Sequence, residues 1–172
     1  MVFWFTGLSG AGKTTLCKAL AGFLRERGKA VLFLDGDLAR KGLCKDLGFS
    51  LEDRLENVRR IAACAALAEN SGLITCVACI APLREHRAVA RQMITDYHEI
   101  FVSCPLSVCE QRDPKGFYAS ALQGRRPFYT GISSPYEAPE TPDLILDTAH
   151  APEEASCAAL FLYVRTVLAL PE

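Results

Sequence analysis

The chain has 172 residues, half of them apolar, and 19 basic against 20 acidic side chains give a net charge of −1. That length suits one domain burying roughly two-thirds of its unfolded surface, and the balanced charge gives no bias toward nucleic acid or membrane. No run reaches the ~18 apolar residues of a membrane span, Arg165 interrupting the C-terminal candidate, and no basic leader follows Met1.

Val2 to Phe5 is an apolar, aromatic run of strand type, followed at once by Gly7-Leu8-Ser9-Gly10-Ala11-Gly12-Lys13-Thr14-Thr15 and a helical pattern from Leu16 to Arg27. Strand, G-x-x-x-x-G-K-T loop and helix together make a phosphate loop. Its glycines let backbone amides wrap the phosphates, and the helix N-terminus adds positive potential. Lys13 is expected on the β- and γ-phosphates and the Thr14 hydroxyl at Mg²⁺, so the chain is expected to bind a nucleoside triphosphate.

Ala30 to Leu34 reads as a second strand, ending in Asp35-Gly36-Asp37, which is expected to turn at Gly36. Ser50 is an N-cap with Asp53 as a weak capping-box partner, opening a helix to about Asn70. Its first half is charged. Its second half, Ile61 to Ala68, is apolar all round and is expected to be deeply buried or at a subunit contact. Leu73 to Ile80 is a third strand, Arg84 to Tyr97 a helix, Glu99 to Ser103 a fourth strand and Pro105 to Arg112 a short helix. Periodicity is lost from Asp113 to Pro142, where five of the nine prolines fall; a loop this long is expected to be a lid or binding loop. Leu144 to Leu146 is a fifth strand and Pro152 to Leu168 a closing helix. Alternating strands and helices define a parallel α/β sheet with helices on both faces.

Eight cysteines lie mostly within apolar patterns and read as buried, reduced thiols, which suits a cytoplasmic location. Cys76 and Cys79 are three apart in a strand and face opposite ways, so they are not expected to share a metal. His86, His98 and His150 are scattered and are expected at the surface.

Ligands of an open parallel sheet sit beyond the carboxyl ends of its strands. That edge gathers the phosphate loop, Asp35 and Asp37, Ile80-Ala81-Pro82 and the 113–142 loop. The third strand has no acidic residue to order a metal, so Asp35 and Asp37 are the natural substitutes and supply the carboxylate a phosphoryl acceptor needs. Arg54 and Asn57 share a helix face and, with Arg40, make a cradle for an anionic acceptor; a solvated face pairing Arg54 with Glu52, Asp53 or Glu56 is the competing reading. In the long loop Lys115, Arg125 and Arg126 would screen phosphates, and Phe117, Tyr118, Phe128, Tyr129 and Tyr136 offer stacking faces. No Asn/Thr-Lys-x-Asp motif reads guanine.

The sequence resembles the adenylylsulfate kinase family, which uses ATP to phosphorylate the 3′-hydroxyl of adenosine 5′-phosphosulfate. The residues that carry this include Gly7 to Thr15, Leu34-Asp35-Gly36-Asp37 with Arg40-Lys41-Gly42-Leu43, and Asp46-Leu47-Gly48-Phe49-Ser50. Further on they include Asp53-Arg54, Glu56-Asn57-Val58-Arg59-Arg60, Cys109 to Asp113, Lys115-Gly116-Phe117-Tyr118 and Thr130-Gly131-Ile132 through Pro139. The resemblance implies a three-layer P-loop kinase fold over 1–172 with a lid at about 113–135. It implies Mg²⁺ at Thr14 and Asp35, ATP on residues 7–15 and Arg112, and Lys13, Asp35 and Asp37 in catalysis. It places the acceptor among Asp37, Arg40, Phe49, Arg54, Asn57, Ile80, Ala81, Lys115, Gly116, Phe117, Tyr129 and Thr130, with its adenine between Phe49 and Tyr129, and it implies a homodimer. Family members often carry Ile-Ser-Pro after the third strand. Here Ile80-Ala81-Pro82 rules out a phosphoserine at that position and leaves direct in-line transfer. Leu83 and Ala119-Ser120 also depart from the family pattern, near the acceptor. Two other readings stay open: a P-loop kinase for a different nucleotide's ribose 3′-hydroxyl, and a non-catalytic domain of a sulfurylase fusion.

Overall fold

In a computed structural model that describes residues 1–170, five parallel strands form one sheet in the order β2-β3-β1-β4-β5. They are β1 (Val2–Thr6), β2 (Val31–Asp35), β3 (Ile74–Ala78), β4 (Tyr97–Ser103) and β5 (Leu144–Asp147). β1 takes the centre because its residues are apolar on both faces, as a strand covered by helices on either side requires. The side chains alternate. Val2 and Trp4 pack with Val58, Ile61 and Ala65 on one side, while Phe3 and Phe5 pack with Leu16, Leu20 and Leu160 on the other. Register is fixed by that alternation, with Phe3 opposite Cys76 on β3 and His98 on β4.

The helices α1 (Lys13–Glu26) and α7 (Glu153–Leu168) cover the Phe3 face, with Phe23 stacked on Phe161 at 4.3 Å. The Trp4 face is covered by α3 (Leu51–Asn70) and α4 (Arg84–Met93). Cys76 and Cys79 fall in these two opposite clusters, and all eight cysteines are free thiols. On α3, Ile61, Ala62, Ala65 and Ala68 are buried while Leu67 is 68 % exposed, so its apolar half packs along one side only. No helix among the described residues is long and apolar enough to cross a membrane.

Several expectations are corrected. Asp35-Gly36-Asp37 is not a simple turn: Asp35 caps a short helix α2 (Gly36–Ala39), its carboxylate accepting from the Asp37 and Leu38 amides. Ser50 caps α3 through the Asp53 amide, but the Asp53 carboxylate reaches back to the Gly48 amide, so only half a capping box forms. The helix expected to reach Tyr97 ends at Met93. Ile94 is extended, and Glu69 accepts the Thr95 and Asp96 amides, freeing Tyr97 to begin β4. After α5 (Leu106–Arg112), the stretch expected to be irregular contains α6 (Phe117–Leu122), whose Phe117 and Ala119 amides bond the Asp113 carboxylate. A helix of six residues is too short to show a 3.6-residue period. His86 is wholly buried rather than at the surface, and His98 is half-buried between Phe3 and the Tyr163 hydroxyl.

β1 lies so close to β4 at its exit that a Cβ on Gly7 would sit 2.4 Å from the Val102 carbonyl oxygen, at φ +144°. We therefore expect Gly7→Ala to cost on the order of 3 kcal/mol. Thermal melting followed by circular dichroism should show a loss of about 6–12 °C; an unchanged midpoint would contradict the tight approach.

Candidate active site

Beyond the carboxyl end of β1, residues 7–14 curl into a loop made possible by positive φ at Gly7, Gly10 and Gly12. The loop runs into α1 with no side-chain cap, so the first-turn amides are left for an anion. Lys13 folds back over its own loop, its Nζ donating to the Leu8 carbonyl at 2.7 Å. Burial brings its ammonium down to about 8. Distant segments brace the loop. The Tyr118 hydroxyl donates to the Ser9 carbonyl at 2.9 Å, the Thr148 hydroxyl donates to the Ala11 carbonyl at 2.7 Å, and Arg112 donates to the Gly10 and Thr148 carbonyls. Tyr118 is thus a buried brace rather than a stacking face.

Asp35 and Asp37 differ in surroundings. Asp35 is buried, with one carboxylate oxygen on the Asp37 and Leu38 amides and the other accepting from the Thr14 hydroxyl at 2.9 Å. Asp37 is exposed at the cleft, where Lys115 forms an ion pair with it. The Thr14 and Asp35 oxygens are hard donors of the kind Mg²⁺ takes alongside water and phosphate.

The charge run on α3 divides by face. Arg59 and Arg60 pair with Glu56, which they hold down to about 2, and Arg60 also binds Asp46 through two bonds of 2.6 and 2.8 Å. Arg54 and Asn57 instead turn inward and are buried. Arg54 has no carboxylate partner among the described residues; it donates to the Phe49 and Phe128 carbonyls at 3.1 and 2.6 Å. Arg40 donates to the Gly48 carbonyl at 2.8 Å. Both guanidiniums lie over the half-exposed Phe49 ring, at 4.4 Å for Arg40 and 5.5 Å for Arg54. Burial, followed by the Arg40 charge, lowers the Arg54 pKa. Asn57 Oδ1 is a buried acceptor without a hydrogen-bond partner, and a ligand donor reaching it would satisfy it.

One cleft of about 1050 Å³ joins these groups. It is lined by Ser9, Gly10 and Gly12 to Thr15 on one side and by Asp35, Asp37, Arg40, Phe49, Arg54, Asn57, Ile80 and Ala81 on the other. Lys115, Phe117, Tyr129 and Thr130 line the part formed by 113–130. Gly7, Leu8, Ala11, Arg112 and Gly116 do not line it. Arg125, Arg126 and Phe128 do, with the Arg126 guanidinium 3.8 Å from the Phe117 ring centre. Tyr136 does not line the cleft: its ring stacks on Phe101 at 6.4 Å and its hydroxyl lies 3.2 Å from the Thr6 hydroxyl. Sequence reasoning missed Thr6, whose hydroxyl donates to the Ile80 carbonyl at 2.6 Å. A polar residue closing an otherwise apolar central strand was the available signal.

A five-stranded parallel sheet, a braced phosphate loop and two carboxylates where β2 passes into α2 define a P-loop kinase. The chain belongs to the adenylylsulphate kinase family, whose sequence model matches residues 1–147. An adenylyl-sulfate kinase of Bacillus pumilus is 50% identical over 95% of this chain and 84% of its own length, and one of Bacillus licheniformis is 53% identical over 89% and 79%. Among solved structures, a Mycobacterium tuberculosis APS kinase in complex with AMPPNP and APS superposes with a TM-score of 0.88. It is 44% identical and matches over 94% of this chain and 95% of that one.

The lowered Lys13 pKa has a measurable consequence. Phosphates bound against Lys13 would hold its ammonium charged, while the free protein releases that proton above about pH 8. Binding of a nucleoside triphosphate should therefore weaken as pH rises past 8, by up to about tenfold per pH unit. Calorimetry in buffers of different ionisation enthalpy should show proton uptake approaching one; no uptake at pH 9 would remove Lys13 from that role.

Proposed function

We propose that this protein transfers the γ-phosphoryl group of ATP to the ribose 3′-hydroxyl of adenylylsulfate. The observation that carries this reading is the single cleft in which a phosphate loop faces an arginine–asparagine cradle. Its volume lies at the upper end of what one small ligand needs, leaving room for two nucleotides end to end. ATP lies on the loop amides and Lys13, which stabilise charge on the transferred group. The acceptor's adenine stacks against Phe49 and faces Tyr129, its anionic groups meet Arg40 and Arg54, and Asn57 supplies a hydrogen bond.

Mg²⁺ held by the Thr14 and Asp35 oxygens would neutralise charge on the ATP phosphates. Asp35, occupied with Thr14 and the start of α2, serves as an anchor. Asp37 takes the proton of the 3′-hydroxyl as its oxygen bonds to the γ-phosphorus and the bond to ADP breaks in line. Ala81 has no hydroxyl to carry a phosphoryl group, so transfer is direct. The segment 113–135 acts as a lid whose Lys115, Arg125 and Arg126 bring positive charge over the reacting phosphates. The same reading includes a homodimer, for which the exposed Leu67 offers an apolar contact.

The test is γ-phosphoryl transfer measured across nucleotide acceptors, with adenylylsulfate expected to be preferred. Transfer to another nucleotide and none to adenylylsulfate would overturn the reading. Asp37→Asn should cut kcat by about 10²–10⁴-fold with ATP affinity kept within about threefold; equal loss of both would make Asp37 structural. Arg54→Ala should raise the acceptor KM by about tenfold or more, as expected when a charge-assisted hydrogen bond is lost. The KM for ATP should hardly move, and a matched rise in both would remove Arg54 from the acceptor side.

A further inference from the structure

Ala81 forms part of the acceptor wall, yet its backbone has φ +41°, in the left-handed region that a side chain with a Cβ disfavours. Two buried donors hold this conformation. The Thr6 hydroxyl takes the Ile80 carbonyl at 2.6 Å, and Arg87 Nη1 donates to the Ala81 carbonyl at 2.8 Å. Arg87 is 4 % exposed and sits on α4, on the side that packs against the sheet. Its Nη2 donates to the Glu137 carbonyl at 2.7 Å, and its Nε lies 3.1 Å from the buried Glu99 carboxylate on β4. Glu137 completes the connection. Its amide donates to the Pro82 carbonyl at 2.8 Å, and its carboxylate accepts the Arg84 amide that opens α4.

We propose that Arg87, oriented by Glu99, is a positioning residue for the acceptor half of the cleft. It sets the strained Ala81 backbone and ties that wall to the irregular segment at 136–139 that follows the lid. It touches neither nucleotide. The inference rests on the functional reading above and deepens it by naming what shapes the acceptor wall. A planar fork donates to the Ala81 and Glu137 carbonyls from two fixed directions while its Nε side lies in charge contact with Glu99; a lysine ammonium, a single point on a flexible stem, does not reproduce this. The Thr6 bond to Ile80 remains in an Arg87 variant, so the loop is expected to loosen rather than collapse. ATP, held on the far side by backbone amides, is expected to be indifferent.

The experiment is steady-state kinetics on Arg87→Lys and Glu99→Gln, with melting curves for both. Arg87→Lys should raise the acceptor KM by tenfold or more, keep the ATP KM within twofold, and retain most of kcat at saturating acceptor. Glu99→Gln should move the same parameter the same way by a smaller factor. Adding Ala81→Gly to Arg87→Lys should recover part of the acceptor KM, because glycine enters the left-handed region without penalty. Equal rises in both KM values, a fall in kcat alone, or a lower melting point with no kinetic split would overturn the proposal. Failure of both single variants to fold would assign the cluster to stability alone and overturn it as well. A wild-type protein inactive on adenylylsulfate would instead defeat the functional reading, and the positioning role would fall with it. An active wild type with an unsplit variant defeats the positioning role only.

Discussion

Burial of β1 on both faces is the constraint from which the rest follows. Alternating side chains along Val2 to Phe5 lock the strand against helices above and below, so its exit is fixed where Gly7 meets the Val102 carbonyl. That exit carries the phosphate loop in one direction and, through the Thr6 hydroxyl, the Ile80 carbonyl in the other. One strand end therefore sets both halves of the cleft. The loop is also braced from far along the chain, by Tyr118 and Thr148 on its carbonyls. With its carbonyls tied back, its amides are arranged before any ligand arrives. A site organised in this way spends little binding energy on reordering itself.

Much of this could be read from local sequence. The phosphate loop is a contiguous pattern, and the Arg54–Asn57 spacing needs only a helix to put both side chains on one side. The inward turn of Arg54, against a solvated charge run, becomes visible once Arg59 and Arg60 are seen to satisfy Glu56 and Asp46. The bracing groups were not legible, because each acts on a partner distant in sequence. Tyr118 and Tyr136 looked like stacking aromatics within an irregular stretch, and only the fold shows their hydroxyls on Ser9 and beside Thr6. Arg87 carried a signal that is easy to overlook. It falls at helical spacing with Leu83, Ala90 and Ile94, all buried, and an arginine on an apolar stripe is there to meet a buried partner.

The cationic groups divide into two kinds by what compensates them. Arg87 is buried against the Glu99 carboxylate and two carbonyls, a closed arrangement with little left to offer a ligand. Arg54 is buried against carbonyls alone, with Arg40 as a like-charged neighbour over the same Phe49 ring. Carbonyl dipoles compensate a buried charge less well than an anion does, so burial, followed by the Arg40 charge, lowers the Arg54 pKa. An anion arriving between Arg40 and Arg54 relieves both the desolvation of one and the repulsion of the pair. The free protein thus holds the Arg40–Arg54 end of the cleft in an unfavourable electrostatic state, and on the proposed reading its relief would add to acceptor binding.

The same partition bears on the segment that overhangs the cleft. Near its start Lys115 pairs with Asp37, and near its end the Phe128 carbonyl accepts from Arg54. Phe128 itself has φ +59°, a strained conformation for an aromatic residue. Both attachments use side chains that the proposed function assigns to the acceptor. An anion at Arg54 competes with a neutral carbonyl, which it should win on charge alone. A hydroxyl at Asp37 competes with an ammonium, which it should not win unless Lys115 gains another anion nearby, such as a phosphate oxygen. On the proposed reading, release of Lys115 from Asp37 would depend on the charge ATP brings to the cleft, which would link the two nucleotides through one lysine rather than through any rearrangement of the sheet.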